Sequence, residues 1–242
     1  MTYKLIVAYD GTKYKGWQRL DENTSTVQGK LEHVISSFLG KPTEIIGSGR
    51  TDAGVHALRQ TASFSVPYEI DCCLLTEYMT RYLPEDISVV SLTAVSSDFH
   101  ARFSVKSKTY TYRILTKPNP FQRRYAMSVF SPLDIDAMKT AGEFFVGTHD
   151  FTAFTNAKAK KKSKVRTVYR LDIDKKGDII EITICGSGFL HNMVRRIAGL
   201  MIEIGLGRVD ASAVPEIIES LDRSRINLVA EAKGLFLTDV EY

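Results

Sequence analysis

Strand-like and helix-like stretches follow one another in the order β-α-β-β-α-β, and after residue 103 the same order returns. That pattern points the 242 residues to an α+β fold of two ferredoxin-like units with antiparallel or mixed sheets. In the first run, Lys4 to Tyr9 reads as a buried strand. Ser25, with Gln28 three residues on, reads as a capping box opening an amphipathic helix through Phe38, which Gly40-Lys41-Pro42 stops. Strands near Glu44 to Gly47 and from Gln60 to Val66, a helix from Cys72 to Tyr82 and a strand from Ile87 to Val95 complete it. In the second run come a strand from Lys108 to Leu115, a helix from Asp134 to Phe145, a hairpin through Lys175-Lys176-Gly177-Asp178, a helix from Phe189 to Ile204 and a closing strand from Leu235 to Tyr242. The helix near Ser212 to Leu221 reads as an insertion. The expected domains are 1–103 and 104–242, an old duplication whose sheets join around a central cleft.

Charge and cysteine usage narrow the class. The formal charge of +4 is mild, so a polyanion partner has to be met by a local patch rather than by an all-over field. Three cysteines, Cys72, Cys73 and Cys185, form no C-x-x-C and argue against a disulfide framework or a zinc site. A strand pattern begins within a few residues of Met1, and no apolar run reaches membrane-spanning length. The expectation is a soluble protein of the cytoplasm, without a membrane partner.

The chemistry concentrates in Gly47-Ser48-Gly49-Arg50-Thr51-Asp52-Ala53-Gly54-Val55-His56-Ala57. Its glycines allow positive φ and close approach of another chain or a ligand. Arg50 and Asp52, two apart, share a face wherever the backbone is extended. A guanidinium beside a carboxylate favours the ionised form, which is available as a nucleophile at neutral pH. A turn with Asp52 capping backbone N–H groups fits the same residues, and the window alone does not choose.

This window resembles the active-site signature of the tRNA pseudouridine synthase A family, in which the aspartate is the catalytic nucleophile. Further resemblances follow in family order: Tyr9-Asp10-Gly11, Gly16-Trp17-Gln18, Thr26-Val27-Gln28-Gly29, Phe99 to Ser104, Lys108 to Arg113, Gly147 to Phe151, Val165-Arg166-Thr167, Gly188-Phe189-Leu190 running to Arg195, and Gly234-Leu235. The resemblance implies the pseudouridine synthase fold and isomerisation of uridine to pseudouridine at positions 38, 39 and 40 of the tRNA anticodon stem-loop. It also implies a homodimer and a reaction with no metal or redox cofactor. Asp52 is then the nucleophile, Tyr110 the residue that stacks on the base and handles the C5 proton, Arg195 the salt-bridge partner of the carboxylate, and Arg50 the residue that displaces the base. Leu235 lines the uracil pocket, and Gln18 and Arg166 join the substrate-binding set.

Each assignment has a plainer reading on pattern alone. Tyr110, Tyr112 and Ile114 alternate as a core-facing strand. Arg195 and Arg196 fit a solvated helical stripe, Leu235 a core leucine, and Trp17 a packing residue. The basic run Asn156 to Arg166 fits a phosphate-tracking loop or a solvated one. His56, His100, His149 and His191 have no ligand-like spacing and read as structural. Glu231 replaces a proline common in the family, and the Leu20 to Ser25 loop is acidic. Two rivals stand beside the enzyme reading. One is a noncatalytic RNA-binding protein of two ferredoxin-like units; the other is a nucleosidic hydrolase, which lacks a visible second carboxylate.

Overall fold

The structure, a computed structural model, describes residues 1–21, 24–156, 163–226 and 228–242. The chain divides into two compact units, residues 1–106 with 236–242, and residues 107–235.

The first unit holds strands β1 (Thr2–Tyr9), β2 (Ile46–Gly47), β3 (His56–Ser65) and β4 (Ile87–Val95), and helices α1 (Val27–Leu39) and α2 (Cys72–Tyr82). Strand β1 lies antiparallel between β3 and β4, with Leu5 opposite Ala62 on one side and Leu92 on the other. Short β2 adds to β3, also antiparallel. Buried Leu5, Val7 and Phe64 share the core with Leu31 and Ile35 of α1 and Leu75 and Met79 of α2. Asp71 caps α2 by accepting from the Cys73 and Leu74 N–H groups, which satisfies donors the first turn leaves without partners.

Helix α1 corrects the capping-box expectation. Its N-cap is Thr26, not Ser25, and the Thr26 hydroxyl accepts from the Gly29 N–H. Gln28 therefore sits one residue early for a reciprocal cap and turns inward instead, to partners described below. Gly40, at φ +66°, ends the helix in the left-handed conformation.

The second unit holds β5 (Ser107–Leu115), β6 (Met127–Ser128), β7 (Gly147–Asp150), β8 (Val165–Lys176) and β9 (Ile179–Gly186), with α3 (Ile135–Glu143), α4 (Met193–Gly205) and α5 (Val214–Glu219). The antiparallel order is β5-β9-β8-β7, and β6 runs parallel to β5. Lys176 pairs with Ile179, so the expected hairpin turns on Gly177-Asp178, with Gly177 at φ +61°. Ile180, Ile182 and Ile184 alternate into a core shared with Met138, Leu200 and Ile204.

Helix α4 starts four residues later than the pattern predicts. Asn192 has φ +62°, a left-handed conformation through which a right-handed helix cannot run, so Phe189 to His191 stay outside it. The closing strand β10 (Leu235–Glu241) does not complete the second run. Phe236 and Leu237 pair in parallel with His56 and Ala57 of β3, the Glu241 carbonyl accepts from the Lys106 N–H at 2.9 Å, and the Tyr242 hydroxyl donates to the Ala101 carbonyl at 2.8 Å. Backbone pairing thus returns the last seven residues to the first unit, where a division between 103 and 104 does not place them.

Candidate active site

Asp52 is half-buried on the loop between β2 and β3. Hydrogen bonds from several elements fix the backbone around it. The Trp17 N–H donates to the Thr51 carbonyl at 3.1 Å and the Gly54 N–H to the Tyr14 carbonyl at 3.3 Å; within the loop the Val55 N–H closes onto the Asp52 carbonyl at 3.1 Å. The buried Thr51 hydroxyl shares a 2.8 Å bond with the Tyr9 hydroxyl, and the Gln60 amide donates to the Gly49 carbonyl at 3.0 Å. The Ser48 hydroxyl donates to the other end of Gln60 at 2.7 Å. A loop held at Ser48, Gly49, Thr51, Asp52 and Gly54 keeps its carboxylate in one place, which pre-organised chemistry requires.

Close approach supports the same rigidity. A Cβ on Gly47 would lie 2.5 Å from the Trp17 ring, and one on Gly16 would lie 2.6 Å from the Thr51 carbonyl oxygen. Trp17 is 2% exposed, so it packs under the loop and is not a stacking surface. Tyr14 is buried as well, and its hydroxyl donates to the Asp86 carboxylate. Burial first, and that carboxylate second, push its pKa above the ordinary phenol range. His56 is buried against Phe236, with ring centroids 4.7 Å apart, and its Nδ1 accepts from the Gly11 N–H at 3.1 Å.

Arg50 is exposed, and its Nε donates to the Gln18 side-chain oxygen at 3.1 Å. The backbone on either side of Gln18 is held by a polar network inside the unit, beginning with the Gln28 N–H on the Trp17 carbonyl at 2.9 Å. Gln28 accepts from the Arg19 N–H at 2.9 Å and donates to Glu32 at 2.9 Å and to the Ile45 carbonyl at 3.0 Å. The same Glu32 oxygen accepts from the Ile45 N–H at 3.0 Å, and its other oxygen lies 2.8 Å from Arg19 Nη1. Sequence reasoning missed Glu32, Gln60 and the inward role of Gln28. The available signal is that Gln28 and Glu32 are spaced i, i+4, on the face that also carries Leu31 and Ile35. Glu32→Ala leaves the Ile45 N–H without its acceptor in the interior. The expected cost is about 2–4 kcal/mol of stability, read as a lowered urea midpoint at unchanged m-value.

In the second unit, Tyr110 on β5 faces Ile184 of β9 in register and keeps 8% of its surface. The Phe189 ring meets it edge-on at 5.3 Å and 87°. Tyr112, two residues on, is fully buried, donates to the Glu231 carbonyl at 2.9 Å and lies against Gly234. Burial pushes its pKa well above the usual phenol range. Leu235 is buried at the start of β10.

Arg195 and Arg196 are not a solvated stripe. Arg195 is half-buried in the first turn of α4; its Nε donates to the Ala230 carbonyl at 2.7 Å and its Nη1 to Asn192 Oδ1 at 3.1 Å. Arg196 is 8% exposed and donates to Asn156 Oδ1 at 2.8 Å and to the carbonyls of Arg223 and Ile226. Burial, and then the neighbouring Arg223 guanidinium, hold its pKa below the usual arginine range. Adjacent arginines read as surface by pattern, but here Asn156, Asn192, Arg223, Ile226 and Ala230 supply the oxygens their guanidinium groups meet.

Arg166 is half-exposed and folds its Nη1 onto the carbonyls of Ser163 and Val165. Of the basic run, Lys158, Lys160, Lys161 and Lys162 lie outside the described residues. Among the described residues no three His, Cys, Asp or Glu side chains gather as a metal-binding group, and no helix is long and apolar enough to cross a membrane. Asp52, Arg50 and Gln18 thus belong to the first unit, while Tyr110, Arg166 and Arg195 belong to the second.

A family model described as tRNA pseudouridine synthase matches residues 5–104 and 141–242. A Bacillus cereus protein named tRNA pseudouridine synthase A 2 is 51% identical over 242 residues, covering 99% of each chain. Proteins named tRNA pseudouridine synthase A from a Bacillus species and from Acetivibrio thermocellus are 48% and 40% identical; each alignment covers 99% of this chain, with 99% and 98% of the respective relative. A chain of a solved Cbf5-Nop10-Gar1 complex aligns at 12% identity and TM-score 0.35, over 83% of this chain and 45% of that one, a likeness too loose to bear on function.

Proposed function

Since this chain belongs to the tRNA pseudouridine synthase family and is an isomerase, we propose that it acts on the anticodon stem-loop of tRNA. There it converts uridine to pseudouridine at positions 38, 39 and 40, with Asp52 as nucleophile and with no cofactor. The observation that carries this reading is the Asp52 loop, a carboxylate on a backbone held by Trp17, Tyr14 and Gln60. It is supported by relatives about half identical along the whole chain.

The reaction breaks the uridine N1–C1′ bond, turns the uracil, forms a C5–C1′ bond and releases the C5 proton, while N1 takes up a proton. The routes through it, by attack at C1′, by attack at the base or by elimination to a glycal, each call for a carboxylate at the target nucleoside. Asp52 takes that role, and Arg195 is the guanidinium partner that orients its carboxylate. Tyr110 stacks on the freed uracil and handles the C5 proton, and Leu235 lines the pocket wall. Arg50, exposed and steadied by Gln18, enters the RNA and takes the target uridine out of its stack. Gln18 and Arg166 contact the substrate. We place the enzyme in the cytoplasm as a homodimer.

The test is tritium release from tRNA transcripts labelled at uracil C5, with the product located by reverse-transcription stops after carbodiimide treatment. Release that maps to positions 38–40 is the expected result. Tight tRNA binding without release favours the noncatalytic RNA-binding reading, and stops outside the anticodon arm overturn the site assignment.

A further inference from the structure

Between β5 and α3, residues 116–133 contain Lys117, Arg123 and Arg124 and no aspartate or glutamate. The stretch lies in the part of the chain, 105–140, that the family model leaves unmatched, and none of the site assignments above falls in it. Phe121 stands at its tip, 86% exposed, more than any other large hydrophobic side chain among the described residues. An apolar ring facing water is ordinary when it is scattered on a flexible end. Here it is held. The Asn119 side chain accepts from the N–H groups of Phe121 at 3.0 Å and Gln122 at 3.2 Å. The Arg123 N–H donates to the Asn119 carbonyl at 3.1 Å, and the Tyr125 N–H to the Gln122 carbonyl at 2.8 Å. Pro118 and Pro120 on either side of Asn119 further limit the backbone. Lys117 is paired with Asp178 at 3.0 Å, which leaves the two exposed arginines beside Phe121 as the segment's cationic face.

We propose that this turn is a second RNA contact, a platform on which an unpaired nucleotide of the substrate stacks against Phe121 while Arg123 and Arg124 meet the flanking phosphates. An exposed aromatic face on a fixed backbone, next to guanidinium groups, is the chemistry by which proteins hold single-stranded nucleotides with little regard to sequence. The absence of any carboxylate from the segment favours a polyanion over a protein surface as its occupant. The inference rests on the RNA-modifying reading given above.

Phe121→Trp provides the probe, because the chain's one tryptophan, Trp17, is buried. Titration with an unmodified tRNA transcript quenches the emission of the Phe121→Trp protein, and wild-type emission stays constant. Phe121→Ala raises KM for tRNA about tenfold with kcat within about twofold. Arg123→Gln with Arg124→Gln lowers the salt slope of binding by about 2. Wild-type tritium release is measured on the same transcript. Release with neither quenching nor a KM change overturns the platform alone. No release and no tRNA binding by the wild type overturn the substrate reading, and the platform with it. A shift of Phe121→Ala to a smaller species in sedimentation, with KM unchanged, assigns the turn to a second copy of the chain and also overturns the proposal.

Discussion

Asp52→Asn lowers tritium release from C5-labelled tRNA by at least about 10⁴-fold, the order seen when a nucleophile is removed from a site whose other groups remain. The substitution is nearly isosteric. The Thr51 and Asp52 carbonyls and the Gly54 and Val55 N–H groups hold the loop through the backbone, and the Thr51 hydroxyl holds it at Tyr9; an amide at residue 52 leaves these bonds in place. What it removes is the charge and the nucleophilic oxygen. Thermal midpoint and tRNA affinity therefore stay close to wild type while turnover is lost. Loss of turnover of less than about tenfold would sink the nucleophile assignment, because an amide cannot take the place of a carboxylate at a breaking glycosidic bond. Equal loss of binding and turnover would instead make Asp52 part of the RNA surface.

Elements with clean periodicity were legible from residues alone. The span of α2 from Cys72 to Tyr82 and that of β4 from Ile87 to Val95 match the pattern to the residue. The failures share a physical cause, in that local patterns do not report what tertiary contacts do to a polar residue. Ser25 and Gln28 have capping-box spacing, yet Gln28 is drawn inward because Glu32, Ile45 and Arg19 offer it partners there. Arg196 reads as surface because a buried guanidinium is rare, and only its three oxygen partners make burial tolerable. The start of α4 depends on the φ of Asn192, which an asparagine permits but does not demand. The return of β10 to β3 is a long-range pairing that no window of sequence contains.

At the candidate site the balance was similar. The glycines and Asp52 marked the loop, but a capped turn fits the same residues, and only the resemblance to a family signature favoured a nucleophile. The residues that hold the loop did not stand out: Tyr9, Ser48 and Gln60 occupy ordinary strand or loop positions, and only the fold shows their side chains closing on it. Tyr110 could be assigned only through its resemblance to a motif, because its burial also suits a core tyrosine.

Gly16→Ala is expected to lower kcat about 100-fold and stability by about 2–4 kcal/mol. Gly16 has φ +97°, and a methyl group there would meet the Thr51 oxygen at 2.6 Å, the Asp52 carbonyl carbon at 3.2 Å and the Ala53 nitrogen at 3.3 Å. All three are backbone atoms of the aspartate loop, so relief comes only by moving the loop or the Gly16-Trp17 segment. The Gly16 carbonyl accepts from the Val27 N–H at the start of α1, and the next residue holds the Thr51 carbonyl. Both routes displace Asp52. Gly40→Ala separates the two consequences. Gly40 also has positive φ, +66°, but among the described residues nothing lies within 4 Å of the added carbon. It pays only the backbone strain of about 1 kcal/mol, with no atom of the loop against the added carbon, and kcat stays at the wild-type value. The two variants are compared at a temperature well below either midpoint, so that every molecule counted is folded. If Gly16→Ala loses stability and keeps full turnover, the loop does not need its backbone position for catalysis. A loss of kcat in Gly16→Ala alone establishes that the close approach of Gly16 is what sets the carboxylate.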